Sequence, residues 1–499
     1  MNEFEIDRIL FFGASLAVVL VCIPMGLMPE ESGQFVARQY QWVASNLGFL
    51  YQWFAVGTMV FLFWLAVSRF GDIRLGAPDE KPEFSNFSWA GMLFCAGTGA
   101  SLLVWAGVEW AYYFDAPPFG IAPRSTEALE WGAAYGIFHW GIIAWCFYAL
   151  PTIAIAYPFY VKKIPYLRAS TALHSILGPD GGNTPIGRLV DLASMIALLG
   201  GAGSSLGMIA PTIAAVCAEL LSVETSFVLE LIVMLLCISL FSCSVYKGIE
   251  RGIKKLSDFN VYLCLIFLGY ILLVGPTLFI LKMGTDSIGL MLANFVRMTT
   301  WTDPVDQTGF VESWTIFYWA WWIAFAPPIG VFITRISRGR TIRQVIVSMV
   351  AFGSLGCALF YSVLGSYSVS LEVNDVMSVS GSLAQEGMFA TVVNVLNTLP
   401  LSPLVLAVFA IVCVISVATT YDSASYTLAS TATVMLREGD NPAIWNRLFW
   451  AGVLGTLPIF MMFVGGLEII RSGVLVASVP LLVVGVMMGY ALLKSLREH

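Results

Sequence analysis

Apolar residues along this chain come in long unbroken runs rather than at the short periods of half-buried helices or strands. Twelve runs are candidate spans: 8–29, 47–69, 88–114, 132–161, 186–221, 226–246, 257–281, 313–334, 342–371, 400–436, 444–470 and 473–493. A transmembrane helix needs about 20 mostly apolar residues. Several runs are longer than that, which predicts tilted or broken helices. Two stretches between runs, DSIGLMLANFVRMTT (286–300) and EGMFATVVNVLNTL (386–399), are amphipathic instead. They are expected to be interfacial helices covering loop ends. The expected fold is therefore an all-α polytopic membrane protein with twelve transmembrane helices.

Composition removes the soluble alternative. The 499 residues are 58% hydrophobic and only 11% charged, against about 25% charged in an ordinary soluble domain. All nine cysteines fall inside the expected spans, which argues against a disulfide framework. The acidic start MNEFEIDR, with no small-residue cleavage site after the first apolar run, predicts a retained first helix.

Charge adds orientation. Of the 25 Lys and Arg, five (Arg38, Arg124, Lys282, Arg297 and Arg471) fall on one side of the twelve spans, and the other 20 on the side holding the N-terminus. Cytoplasmic loops are the ones enriched in Lys and Arg, so both termini are expected in the cytoplasm. The net charge of −7 bears little on this, because acidic residues contribute little to topology.

Gly and Pro are expected to interrupt three spans: CAGTGAS (95–101) in the third, GGAGSSLG (200–207) in the fifth and APP (326–328) in the eighth. The tenth carries a polar patch, SVATTYDSAS (416–425). Irregular backbone at membrane depth is tolerated only where protein or a water-filled cavity covers it. Interrupted helices in corresponding positions of two halves mark transporters with inverted repeats and a midplane site. The third and eighth spans lie five apart. The division expected is 1–87 for two added N-terminal helices, 88–285 for a first repeat, 286–312 for a connector and 313–495 for a second repeat.

Aromatic residues crowd the same spans. In FYWAWWIAF, Phe317, Trp321 and Phe325 recur at i, i+4 and i+8, with Trp322 beside them. FHWGIIAWCFY places Trp140, Trp145 and Tyr148 within one arc, and WAGVEWAYYF supplies Trp105, Trp110, Tyr112 and Tyr113. Ring faces attract a cation, and quaternary ammonium suits them because it has no hydrogen to donate. The bland alternative is aromatic packing with interfacial belts. Three clusters at similar depth favour a cage. Glu109, Asp191 and Asp422 are intramembrane acids, either functional or holding helices together. His139 is expected to hydrogen-bond between helices.

FYWAWW followed by Pro and RISRGRTIR (335–343), with FHWxxxxW, VWAGVE and DSAS, resembles the betaine/carnitine/choline transporter family over about 45–495. YYFDAPPFGIAPRST (112–126) leans towards its carnitine carriers. The resemblance implies twelve spans, a five-plus-five inverted repeat like that of the leucine transporter, a homotrimer in the bacterial cytoplasmic (inner) membrane, and alternating access for trimethylammonium zwitterions. It implies a substrate box of Trp140, Trp145, Tyr148, Trp321, Trp322 and Phe325, with Tyr112 as a further substrate-facing ring. Phe325 stands where betaine carriers have Trp and carnitine carriers Tyr, which keeps the ring face but loses the polar tip.

The same resemblance implies a Na⁺ site from Thr419, Thr420 and the carbonyls of Cys95 and Thr98. Oxygen ligands of this kind suit Na⁺, although the two hydroxyls can instead bond back to their own helix. Sodium-independent exchangers of the family lack the hydroxyl pair and carry Arg and Met where this chain has Asn260 and Ile329. Ser204 and Ser205 are weaker candidates for a second ion. The basic cluster of Arg335, Arg338, Arg340 and Arg343 is expected to face the cytoplasm and anionic lipid.

The reading is a secondary transporter importing a quaternary-ammonium zwitterion, of carnitine or glycine betaine type, with Na⁺. The alternative is a sodium-independent carnitine antiporter. An enzyme needs a nucleophile–base or His/Asp/Glu cluster, which one intramembrane His and scattered acids do not supply. A channel needs a charged ring or carbonyl filter, and the GxxxxGK[ST] of a nucleotide-driven pump is absent. Short termini lead to the expectation of a nutrient carrier that is not strongly osmosensing.

Overall fold

The computed structural model describes residues 5–247, 249, 252–464 and 467–498, without the side chains of 22, 25, 26, 29, 204, 457, 460–464 and 467–475. Arg251, one of the 20 basic residues counted on the N-terminal side, and the side chains of Ser204 and Arg471 lie outside the described residues. The chain is 81% helical. Among the described residues β structure is limited to two isolated bridges, Ile6 with Thr433 and Arg74 with Thr341.

The helices run in chain order as α1 (Arg8–Leu27), α2 (Pro29–Val67), α3 (Asn86–Thr98), α4 (Ser101–Asp115), α5 (Thr126–His139), α6 (Ile142–Ala156), the short α7 (His174–Leu177), α8 (Pro185–Leu221), α9 (Phe227–Lys247) and α10 (Ile253–Val274). They continue as α11 (Thr277–Ala293), α12 (Phe295–Thr300), α13 (Phe317–Ile336), α14 (Ile342–Phe360), α15 (Ser366–Val373), α16 (Val379–Asn397), α17 (Ser402–Thr431), α18 (Ile444–Val464) and α19 (Leu467–Arg497). Among the described residues nine helical segments are long and apolar enough to cross a membrane, or ten when α3 and α4 count as one bent span. The first and eleventh expected spans coincide with α1 and α18.

Burial sorts these helices. The apolar stretch of α13 is 100% buried and that of α5–α6 94%, while those of α9 and α10 are only 33% buried. α13 packs on α6, α8, α17 and α19 and forms the centre of the bundle. The outer helices show their large apolar side chains: Trp53, Phe63, Leu236, Leu273 and Leu355 are all exposed.

The breaks differ from expectation. The interruption in CAGTGAS is present: α3 and α4 meet at 58°, with Gly99 at φ 61 and ψ −167, a backbone region closed to residues with a Cβ. The GGAGSSLG break is absent. α8 continues through it, and its glycines serve packing instead, since a Cβ on Gly201 would come within 2.5 Å of the Phe325 ring. The APP break is also absent, because α13 contains Pro327 and Pro328 without interruption, and the carbonyl of Pro328 accepts from the Thr427 hydroxyl at 3.2 Å. A break the sequence reading missed separates α5 from α6. There Gly141 adopts φ −95 and ψ −140, and a Cβ on it would meet the Ile137 carbonyl at 2.6 Å.

Two boundaries also move. α10 ends at Val274, before Gly275 and Pro276, so the seventh expected span stops short of 281 and 286–300 falls on α11 and α12. The stretch 386–399 turns sharply at Gly387 (φ 81, ψ 174) and then packs against α4 and α8, burying Val392, Val395 and Leu396. It is a packed element of the bundle.

Buried acids tie helices together. Asp422 of α17 accepts from Arg447 of α18 at 2.9 Å and from Ser244 of α9 at 2.5 Å. Asp191 of α8 accepts from the Ser170 hydroxyl at 2.6 Å, with Arg168 Nε at 3.2 Å. The basic cluster is engaged in pairs as well, Arg335 with Glu83 at 2.9 Å and Arg343 with Asp72 at 2.6 Å.

Candidate functional site

The break at Gly99, the break at Trp140–Gly141 and the ring-rich start of α13 meet at one cavity. Ala96, Gly97, Thr98, Gly99, Trp140, Tyr148, Ser205, Trp321, Trp322, Phe325 and Thr420 line it. Five of the seven expected substrate rings are therefore brought together: Trp140, Tyr148, Trp321, Trp322 and Phe325. Trp140 stands edge-on to Trp321 and Trp322, with ring centroids 6.0 and 5.5 Å apart. Tyr148 lies 4.9 Å from Trp322 and donates to the Gly97 carbonyl at 3.1 Å, so α6 is pinned to the last turn of α3.

The other two expected rings are displaced. Trp145 does not line the cavity. It packs into the notch left by Gly353, where a Cβ would come within 2.0 Å of its ring, and it supports Trp322 and Tyr148 from behind at 6.0 and 5.8 Å. Tyr112 sits apart, in a second cluster with Trp105 at 6.1 Å and Trp314 at 5.3 Å. The reason is rotational: along α4 and α6 the rings point in different directions, and only tertiary packing decides which direction faces the cavity. Trp110 is also structural, its indole N–H donating to Ser368 at 3.1 Å.

The cavity holds about 20 Å³, room for roughly one water.

The four expected Na⁺ ligands lie beside this cavity. Thr420 donates to the Cys95 carbonyl at 3.0 Å or to the Ser416 carbonyl at 2.8 Å, which brings α17 against the end of α3. Thr419 donates to the carbonyls of Ile415 at 3.1 Å and Ser416 at 3.0 Å, and Thr98 to that of Phe94 at 2.8 Å. Back-bonding does not exclude a cation: a hydroxyl that gives its proton to its own helix keeps its lone pairs for another partner. Uncharged hydroxyl and carbonyl oxygens are the donor type that suits Na⁺. Asn260 donates to Ser416 at 2.9 Å, within the same cluster.

Sequence reasoning also missed residues. Tyr318 links the two ring clusters, 5.8 Å from Trp140 and 6.2 Å from Trp105. It lies inside FYWAWW, so its type was visible and its direction was not. Ala96 and Gly97 leave no sequence signal beyond small size beside a break, and Ser205, named above as a weaker candidate for a second ion, lines this cavity. His139 does bridge segments as expected, with Nε2 3.2 Å from the Thr315 hydroxyl.

A buried aromatic cavity at the junction of broken helices, inside a lipid-facing ring of apolar helices, defines a membrane transporter. Comparison with known proteins identifies which kind. The family model described as betaine/carnitine/choline family transporter matches residues 9–499. A carnitine transporter of Acinetobacter baumannii is 34% identical over 491 residues, covering 98% of this chain and 89% of the relative. An uncharacterized transporter of Escherichia coli, YeaV, is 39% identical over 429 residues, covering 85% of this chain and 88% of the relative. The chain belongs to the betaine/carnitine/choline transporter family; it is a multi-pass secondary transporter and not an enzyme. Among solved structures, a substrate-bound, outward-open Na⁺-coupled sialic acid symporter superposes over 89% of this chain and 85% of its own with a TM-score of 0.42 and 10% identity, too distant to carry an argument.

Proposed function

We propose that this protein imports a quaternary-ammonium zwitterion, of carnitine or glycine betaine type, together with Na⁺ by alternating access. The observation that carries the reading is the placement of Trp140, Trp321, Trp322, Phe325 and Tyr148 around one cavity whose wall also contains Thr98 and Thr420. Substrate cage and ion ligands then share the same helix ends, so filling one biases the other, which is the physical basis of coupling. The ion supplies positive charge that ties α17 to the unwound end of α3. The residues of this chain bind the onium group through ring faces and exclude water by full burial. The reading places the protein in a bacterial inner membrane as a homotrimer with both termini cytoplasmic, and divides it into inverted repeats at 88–285 and 313–495.

The test is uptake of labelled carnitine and glycine betaine into proteoliposomes, with an inward Na⁺ gradient and with K⁺ in its place. Uptake of either that requires Na⁺, and that Thr420→Val abolishes while substrate binding persists at high concentration, is the expected result. Equal uptake in K⁺, accelerated by preloaded substrate, would assign the protein to sodium-independent exchange and overturn the ion reading.

A further inference from the structure

One buried acid is neither paired with a cation nor used by the transport reading. Glu109 of α4 is 0% exposed. Tyr113 donates to its Oε1 at 2.5 Å, and Trp140 Nε1 donates to its Oε2 at 3.2 Å, while the Tyr361 hydroxyl donates to Oε2 as well. Among the described residues neither Lys nor Arg pairs with it; its one basic neighbour is His139, Nδ1 lying 3.7 Å from Oε1.

The setting suits a carboxylate, which only accepts: the Trp140 indole N–H is a fixed donor, and the hydroxyls of Tyr113 and Tyr361 can each turn a proton towards it. Tyr113 spends its single proton on Glu109, so the contact of 3.0 Å between its oxygen and His139 Nδ1 requires the hydrogen on Nδ1. His139 Nε2 is then free to accept from Thr315 at 3.2 Å, as a neutral imidazole does. With Glu109 ionised and His139 neutral the cluster carries one negative charge without a Lys or Arg partner among the described residues, and one of its three partners, Trp140, is a wall of the cavity.

We propose that Glu109 is the counter-charge of the cage: a carboxylate set one indole ring behind the cavity, which orients Trp140 and supplies negative potential to a bound onium group without touching it. This rests on the cage reading above. A quaternary ammonium cannot hydrogen-bond, so a carboxylate in direct contact would lose its own hydrogen bonds on binding and gain none. Held by Tyr113, Tyr361 and Trp140, Glu109 keeps its partners whether the cavity is empty or full. Its field still reaches the cavity, because Coulomb attraction falls only as the inverse of distance in a site that excludes water. Glu109 acts through Trp140 and through its charge, and is a positioning residue.

The test separates charge from shape. Binding of carnitine is compared with binding of its neutral isostere, in which a tert-butyl group replaces trimethylammonium, to the full-length transporter and to Glu109→Gln. The expected result is a loss of about ten-fold or more in carnitine affinity, with the affinity of the isostere changed less than two-fold. Equal losses for both ligands, or no loss for either, would overturn the counter-charge. A wild-type protein that binds the isostere as well as carnitine would overturn the cage itself, a separate failure. If Glu109→Gln does not fold, Glu109→Asp and Tyr361→Phe carry the test. Both keep the charge, so the ratio of carnitine to isostere affinity is expected to stay within two-fold, and a ten-fold fall in it would refute the proposal.

Discussion

At the residue scale, ring direction decides everything that ring content does not. FYWAWW offers five rings in six positions, yet Trp319 turns away from the cavity to pack 5.6 Å from Phe147 while Trp321 and Trp322 face it. Replacing Trp321 by Leu keeps apolar volume and removes the π face. A single cation–π contact is worth about 0.5–2 kcal/mol, so Trp321→Leu is expected to weaken binding of carnitine or glycine betaine roughly 2- to 30-fold. Titration of the purified variant checks this, and unchanged affinity would remove Trp321 from the cage. The rings that line the cavity were legible by type and spacing because aromatic residues at helical repeats are visible in one dimension. That Trp145 and Tyr112 fall outside the lining was not legible, because nothing local tells which of several rings on one helix points inward.

At the element scale, glycine has two opposite uses here, and the sequence does not distinguish them. Gly99 sits at φ 61 and breaks a span, whereas Gly201 lies inside an unbroken α8 and lets the Phe325 ring approach. Both lie in runs of small residues, so both looked like breaks. The prolines of α13 misled for a related reason: proline removes a donor, but neighbouring helices and side chains can satisfy the freed carbonyls inside a membrane bundle. Gly99→Ala is expected to impose about 1–3 kcal/mol of backbone strain and to bring the melting temperature of the detergent-solubilised protein down, with uptake lost. Gly178→Ala, at another positive φ of 83 but outside the cavity lining, is expected to be strained to a similar degree and to retain uptake. Loss of uptake in both would mean that general destabilisation, and not the break, accounts for the effect.

At the scale of the whole molecule, the burial of each helix follows its place in the bundle. α13 is apolar and buried on all sides, while α9 is more apolar still and turns most of its surface outward. In water the second arrangement would aggregate; in lipid it costs nothing, because hydrocarbon is as apolar as leucine. Orientation is a property of the same scale. The excess of Lys and Arg on one side predicts that Glu498, exposed near the C-terminus, and Asp306, exposed between α12 and α13, lie on opposite sides. In intact cells a membrane-impermeant maleimide is expected to label Asp306→Cys and to leave Glu498→Cys untouched until the cells are lysed. Labelling of Glu498→Cys before lysis would reverse the topology.

The sequence by itself determined the membrane class, the places of most helices and the kinds of side chain that line the cavity. These are sums over contiguous residues, since hydrophobic length acts on each segment independently of its neighbours. Only the tertiary structure decided that Trp140, at the α5–α6 break, lines the same cavity as Gly99, that Thr420 reaches the Cys95 carbonyl at 3.0 Å, and that Glu109 gathers Tyr113, Trp140 and Tyr361 around one carboxyl group. Each joins residues from separate helices. Their meeting depends on helix rotation and close packing through glycine, which are properties of the whole bundle rather than of any one segment.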